Sequence, residues 1–191
     1  MALSPDYITA AEAAAYLRID DTVDDVELGL WVTAASRLID SRCNRQFGLA
    51  AAPVARIYRQ RPFYSPQYGL WLLDIDDVQT TTGFLVNGVA YASSGAILLP
   101  DDAPDLSVPW TTIGFPVQPA DSYPGAPSTY ALTLRPGWTT IPTQVKAACK
   151  LQVKFWADLR DKGGDVQTGM TRLEKGVAQS LAGLVRRRPV G

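Results

Sequence analysis

The chain predicts an α+β fold, in which a helical bundle built from the N- and C-terminal segments carries an inserted small antiparallel β-sheet or partial barrel. Three observations lead there. Apolar residues recur at helical spacing between Thr9 and Arg42 and again beyond Ile141. From Gly48 to Trp138 the pattern changes to short alternating runs broken by Gly and Pro. The two ends also carry opposite charge: residues 1–40 hold eight Asp/Glu against two Arg, and residues 141–191 hold ten Lys/Arg against four Asp/Glu. The formal net charge of −1 thus conceals a dipolar molecule, suited to meeting copies of itself or two different neighbours through unlike faces. The expected domains are a helical one of residues 1–48 and 139–191 and a β-rich insertion of residues 49–138.

Thr9-Ala-Ala-Glu12 has the spacing of a capping box, which starts a first helix through Ala13 to Leu17. Asp24 or Asp25 caps a second, longer helix running to about Arg42. Its apolar residues Val26, Leu28, Leu30, Trp31, Val32, Ala34, Ala35, Leu38 and Ile39 exceed a one-sided stripe, so it is covered on more than one side. Either it sits centrally in the bundle, or one face waits for a neighbouring subunit.

In the insertion, Phe84 to Tyr91 around Asn87-Gly88 reads as a hairpin, because Asn-Gly suits the left-handed positions of a type I′ turn. Ala96–Leu99 and Tyr130–Leu134 read as further strands, the second ended by the Pro136-Gly137 turn. Pro62–Gly69 and Pro116–Pro127 read as Pro- and aromatic-rich loops, either contact surfaces or solvated connections. Pro142 then sits where the first turn of a helix tolerates it. That helix runs to about Asp161, with Val145, Ala148, Leu151, Phe155 and Leu159 at helical spacing, and Gly163-Gly164 breaks it. A last amphipathic segment places Leu173, Val177, Leu181, Leu184 and Val185 on one side before Arg186-Arg187-Arg188.

Composition narrows the chemistry. With no histidine in 191 residues, a Ser-His-Asp or Cys-His nucleophile, a His general base and the usual His-bearing zinc sites are excluded. Cys43 and Cys149 form no C-x-x-C and are expected as reduced thiols. Asp74/Asp76/Asp77 and Asp101/Asp102/Asp105 lack the EF-hand frame, and Asp beside turns serves local hydrogen bonding. No catalytic residue, metal or cofactor is expected. Met1 to Asp6 lacks the basic and apolar regions of a signal peptide, and no apolar run approaches the roughly 18 residues of a membrane span, so no membrane partner is expected.

Lys146, Lys150 and Lys154 stack at i, i+4 and i+8 on one helix face. They read as a solvated row relieved by Asp158, as the complement of an acidic surface such as Asp20–Glu27 of this chain or the next, or as a phosphate contact. Arg186-Arg187-Arg188 suits a helix C-terminus through the macrodipole, or an anchor on a partner. Ile8 to Leu17 resembles the first helix of excisionase-type helix-turn-helix DNA binders. That reading demands a basic second helix, and the next segment, Asp20 to Glu27, is acidic enough to repel phosphate.

Read through to Gly48, the same stretch resembles the opening of the tailed-phage head-to-tail connector (adaptor) family. The resemblance rests on a short helix, an acidic Asp24-Asp25 turn, a long helix through Ala34-Ala35-Ser36-Arg37-Leu38-Ile39-Asp40, and an exit at Arg45-Gln46-Phe47-Gly48. A second block resembles the longer, β-inserted members: Val86 to Tyr91, Leu99 to Pro104 with Pro109-Trp110-Thr111, and Pro136 to Ala148. The resemblance implies a non-enzymatic virion structural protein at the neck, present in host cytoplasm before assembly. It would be monomeric when free and form a ring, a dodecamer in the virion, between the portal protein and a tail-side head-completion or stopper protein. DNA would pass through the channel without being read. The resemblance also implies a portal-docking role for Leu181, Leu184, Val185, Arg186, Arg187 and Arg188. Asp24, Asp25, Glu27, Trp31, Lys146, Lys150 and Lys154 are expected at a subunit interface or channel face. The alternative is a non-viral α+β interaction or adhesion module without catalysis.

Overall fold

The computed structural model describes residues 5–19, 25–117, 129–163 and 171–186, and among these two antiparallel four-stranded sheets and five α-helices make an α+β fold. The chain divides into two compact units, Leu49–Thr139 and Pro5–Gly48 with the described part of Thr140–Arg188.

In the helical unit, α1 (Ala10–Leu17) begins at the capping box: Thr9 Oγ1 accepts from the Glu12 N–H at 3.1 Å and Glu12 Oε2 accepts from the Thr9 N–H at 2.8 Å. Arg18 ends it in the left-handed region at φ 60°. α2 (Asp25–Cys43) turns Leu28, Trp31, Val32, Ala35, Ser36, Ile39 and Cys43 inward. α4 (Thr143–Asp161) meets it with Val145, Ala148, Cys149, Val153 and Trp156. Pro142 is the N-cap of α4 and Thr143 its first helical residue, one position from the expectation.

The α4 stripe also differs from the one expected. Leu151 is 41% exposed while Gln152 is fully buried. Gln152 is buried because it ties down the chain beyond the helix: its Nε2 donates to the Arg172 carbonyl at 3.1 Å and its Oε1 accepts from the Glu174 N–H at 3.0 Å. Both ends of its amide are thereby satisfied, which removes most of the penalty of burying it. α5 (Lys175–Ser180) follows, with Glu174 capping the Val177 N–H, and Val177 and Leu181 fill the core.

In the other unit, β1 (Val54–Tyr58), β8 (Tyr130–Leu134), β4 (Leu85–Val86) and β5 (Val89–Ala90) form one sheet in that order. The second runs β2 (Phe63–Ser65), β3 (Leu70–Val78), β7 (Trp110–Phe115), β6 (Ile97–Leu99). The short helix α3 (Ala103–Leu106) connects β6 to β7. Alternate residues of both sheets, among them Leu73, Ile75, Val86, Leu98, Ile113, Leu132 and Leu134, share one apolar core. The expected small antiparallel sheet is thus two sheets sharing a core, with no closed barrel among the described residues.

The Asn87-Gly88 turn is as expected, with φ of 48° and 82°. Asn87 also exchanges bonds with Ala131 on β8, donating its N–H at 2.8 Å and accepting at Oδ1 at 2.9 Å. The segment Pro62–Gly69 is not all loop: Phe63, Tyr64 and Ser65 pair with Leu72, Trp71 and Leu70 as β2. Its flanking prolines hid a three-residue strand, which lies at a sheet edge where proline is tolerated. Most of the Pro116–Pro127 segment lies outside the described residues.

Candidate functional site

Surfaces, rather than a cleft, collect the side chains singled out in the sequence. The first lies on α2, where the helix carries more apolar residues than its own unit covers. Val26 is 80% and Leu30 65% exposed, and Ala34 and Leu38 are half-buried at the following i+4 positions. Val26, Leu30 and Ala34 form one outward stripe, because residues spaced by four lie above one another on a helix, and Leu38 falls beyond its end. Asp25 and Glu27, both exposed, flank its start. Trp31 is 2% exposed and belongs to the core, where the Arg160 guanidinium lies over its ring at 5.1 Å. Arg160 also pairs with Glu27 at 3.2 Å, so one arginine clamps the start of α2 to the end of α4. Asp24 lies outside the described residues.

The second surface is the lysine row. Lys154 is paired with Asp158 at 3.0 Å, as the solvated reading expected. Lys146 and Lys150 act on Glu12. Its carboxyl is held below the ordinary range first by the Thr9 N–H, with burial opposing and the two lysines adding to the lowering. Two of the three lysines thus lie near enough to bias Glu12 of α1, and the Asp20–Asp24 part of the acidic stretch lies outside the described residues.

The third is the C-terminal segment. Leu181 is fully buried and anchors the chain in its own core, whereas Leu184 is half-buried and Val185 38% exposed. The Arg186 N–H donates to the Cys43 carbonyl at 2.9 Å, tying this segment to the end of α2. Arg187 and Arg188 lie outside the described residues. A feature not singled out in the sequence lies along the end of α2: an open groove of about 460 Å³ lined by Leu38, Ser41, Arg42, Thr171, Arg172 and Leu173. Its only sequence signal is a pair of arginines distant in the chain, which nothing local brings together.

A buried polar cluster fixes the entry to α1. Tyr7 donates its hydroxyl to Asp40 Oδ1 and accepts there from the Phe47 N–H at 3.0 Å, while its own N–H donates to Ser36 Oγ at 3.1 Å. Arg37 lies against the Tyr7 ring and 3.5 Å from Asp40 Oδ2. Burial pushes the Asp40 carboxyl up to about 7, with the Phe47 N–H opposing. Burial likewise raises the thiols of Cys43 to about 11 and Cys149 to about 12, so neither is poised as a nucleophile.

The Asp74/Asp76/Asp77 group of the β unit serves the fold. Asp76 accepts from the Tyr58 hydroxyl at 2.8 Å and pairs with Arg56 at 3.2 Å. Asp77, 3% exposed, accepts from Trp138 Nε1 at 2.8 Å, and Asp74 accepts from Thr112 Oγ1 at 3.2 Å. Asp102 stands at the N-cap of α3 without a side-chain bond. Among the described residues, no group of three or more potential metal ligands occurs, and no helix is long and apolar enough to cross a membrane.

No protein-family model matches the sequence, and no curated protein matches it. A solved chain does share the fold. It comes from the neck of an empty GTA particle computed with C6 symmetry, at 18% identity and a TM-score of 0.60, over 97% of this chain and 92% of that one.

Proposed function

We propose that this chain is a structural subunit of the neck of a phage-like particle, a head-to-tail adaptor. It forms a ring beneath the portal protein, links it to a tail-side stopper protein and surrounds the channel through which DNA passes unread. The observation that carries the reading is the likeness to a particle-neck chain over nearly the full length of both chains. The stripe on α2 supports it, since an apolar face left open on a single copy is what a ring subunit needs for its neighbour. In this role Leu184, Val185 and Arg186 to Arg188 dock on the portal, with Leu181 as the internal anchor of that segment. Asp24, Asp25, Glu27, Lys146, Lys150 and Lys154 lie at the subunit interface or channel face, and Trp31 supports them from within. The protein works by fit, without catalysis.

An epitope-tagged chain expressed in cells producing the particle tests this. Tagged chain should co-purify with DNA-filled particles and label the single vertex joining capsid to tail, and its deletion should leave heads without tails. Absence from purified particles, or label on the shell or tail tip, overturns the reading.

A further inference from the structure

We infer that the acidic, apolar start of α2 docks into the Arg42–Arg172 groove of a second copy of this chain, head to tail. This rests on the ring reading above and names the two surfaces that make its contact. The stripe offers Val26 and Leu30, both prominently exposed, beside the carboxylate of Asp25. The groove offers apolar walls, Leu38 and Leu173, beside the exposed guanidinium groups of Arg42 and Arg172. Among the described residues, no ion pair engages Asp25, Arg42 or Arg172. Each surface thus presents what the other lacks: projecting apolar side chains with an unpaired anion, and an open groove of mixed lining in which Leu38 and Leu173 sit beside two unpaired cations.

The occupant must come from another copy. Val26 and Ser41 lie on one continuous helix, about 22 Å apart along its axis, so a chain cannot fold its own α2 start into its own groove. The two surfaces are different patches of one molecule, which makes the contact heterologous. Repetition of such a contact closes a ring when the rotation allows and extends a filament when it does not.

Two variants of the full chain that each add one exposed cysteine, Val26→Cys and Ser41→Cys, test the contact, since the native Cys43 and Cys149 are buried. At ~1 mM chain, where even a contact of millimolar affinity is substantially occupied, a short bis-maleimide should join the two variants when mixed, while neither variant alone forms a dimer. Asp25→Lys on the first chain and Arg172→Glu on the second should each lower that yield by about fivefold. The two together should restore it. Dimers of Val26→Cys alone would mean that the stripe packs on itself, and would overturn the inference, as would the absence of a mixed product or failure of the charge swap to rescue. Particle labelling reports separately on the neck reading. A cross-link in a chain absent from particles keeps the contact and removes the neck, whereas labelling without a cross-link does the reverse.

Discussion

Replacing Asp40 with Asn should make the protein progressively more stable than the wild type as pH rises from about 4 to about 7, with the difference levelling off above that. Asp40 is pushed from an ordinary 3.8 to about 7 by burial, so the folded chain holds a proton there that the unfolded chain has released. Between those values the folded state binds more protons, and stability falls as pH rises through about 7. At about 1.4 kcal/mol per pH unit the full displacement amounts to ~4 kcal/mol. The side chain retains 19% exposure and Arg37 Nε lies 3.5 Å away, which favours the ionised form, so a net effect of about 2 kcal/mol is expected. Asn keeps an oxygen to accept from Tyr7 and cannot ionise. Urea denaturation of both proteins from about pH 4 to pH 8, the range spanning both pKa values, measures the difference, which cancels the other carboxylates. A difference that does not change with pH would refute the assignment of a raised carboxyl at this position, and a wild type that gains on the variant toward pH 8 would reverse its sign.

Thr9→Ala removes the acceptor for the Glu12 N–H and should lower stability by about 1 kcal/mol, read by thermal denaturation, with Thr9→Ser restoring most of it. Gly114→Ala should be destabilising by ~1–3 kcal/mol, because its Cβ would come within 2.7 Å of Leu70 Cδ1 and 3.3 Å of Leu72 Cδ2 on the packed face of β3. Gly88→Ala meets open space and loses only what its positive φ imposes, about 1 kcal/mol, so the same denaturation assay should rank it as the milder change.

Local chemistry made much of the fold legible. The Thr9–Glu12 box, the Asn87-Gly88 turn and the Tyr130–Leu134 alternation each act within a few residues, and each appears where its chemistry puts it. What could not be read depends on partners far along the chain. Leu151 looks like a core residue by spacing and Gln152 like a surface one. Their roles exchange because Gln152 bonds the backbone at Arg172 and Glu174, twenty and more residues on. Leu181 shared a stripe with Leu184 and Val185, yet only Leu181 is sealed, since the turn after α5 carries the other two outward. Of the surfaces, the excess apolar content of α2 was visible from composition. The groove was not, because Arg42 and Arg172 meet only through the packing of the chain after α4.

The size of the α2 stripe explains why such a subunit would stay single until assembly. Burying Val26 and Leu30 contributes roughly 2 kcal/mol each, and exposed ion pairs of the kind open to Asp25 add less than about 1 kcal/mol. Covering the half-buried Leu38 and Leu173 of the groove adds roughly 1 kcal/mol each. Bringing two free proteins together costs about 4–15 kcal/mol, so one such contact reaches millimolar affinity at best and leaves the chains mostly apart at micromolar concentration. On a shared template the balance changes, because each copy held by its C-terminal segment meets its neighbour at an effective concentration in the millimolar range, and contacts too weak to pair free chains then act together. A face large enough to hold a dimer in solution would instead drive premature rings or filaments. Under the proposed ring role, the modest exposed stripe would suit a contact that forms only where copies are already gathered, and wild-type chain alone should sediment as a monomer at micromolar concentration. A stable ring formed by the pure chain under those conditions would contradict this account of assembly.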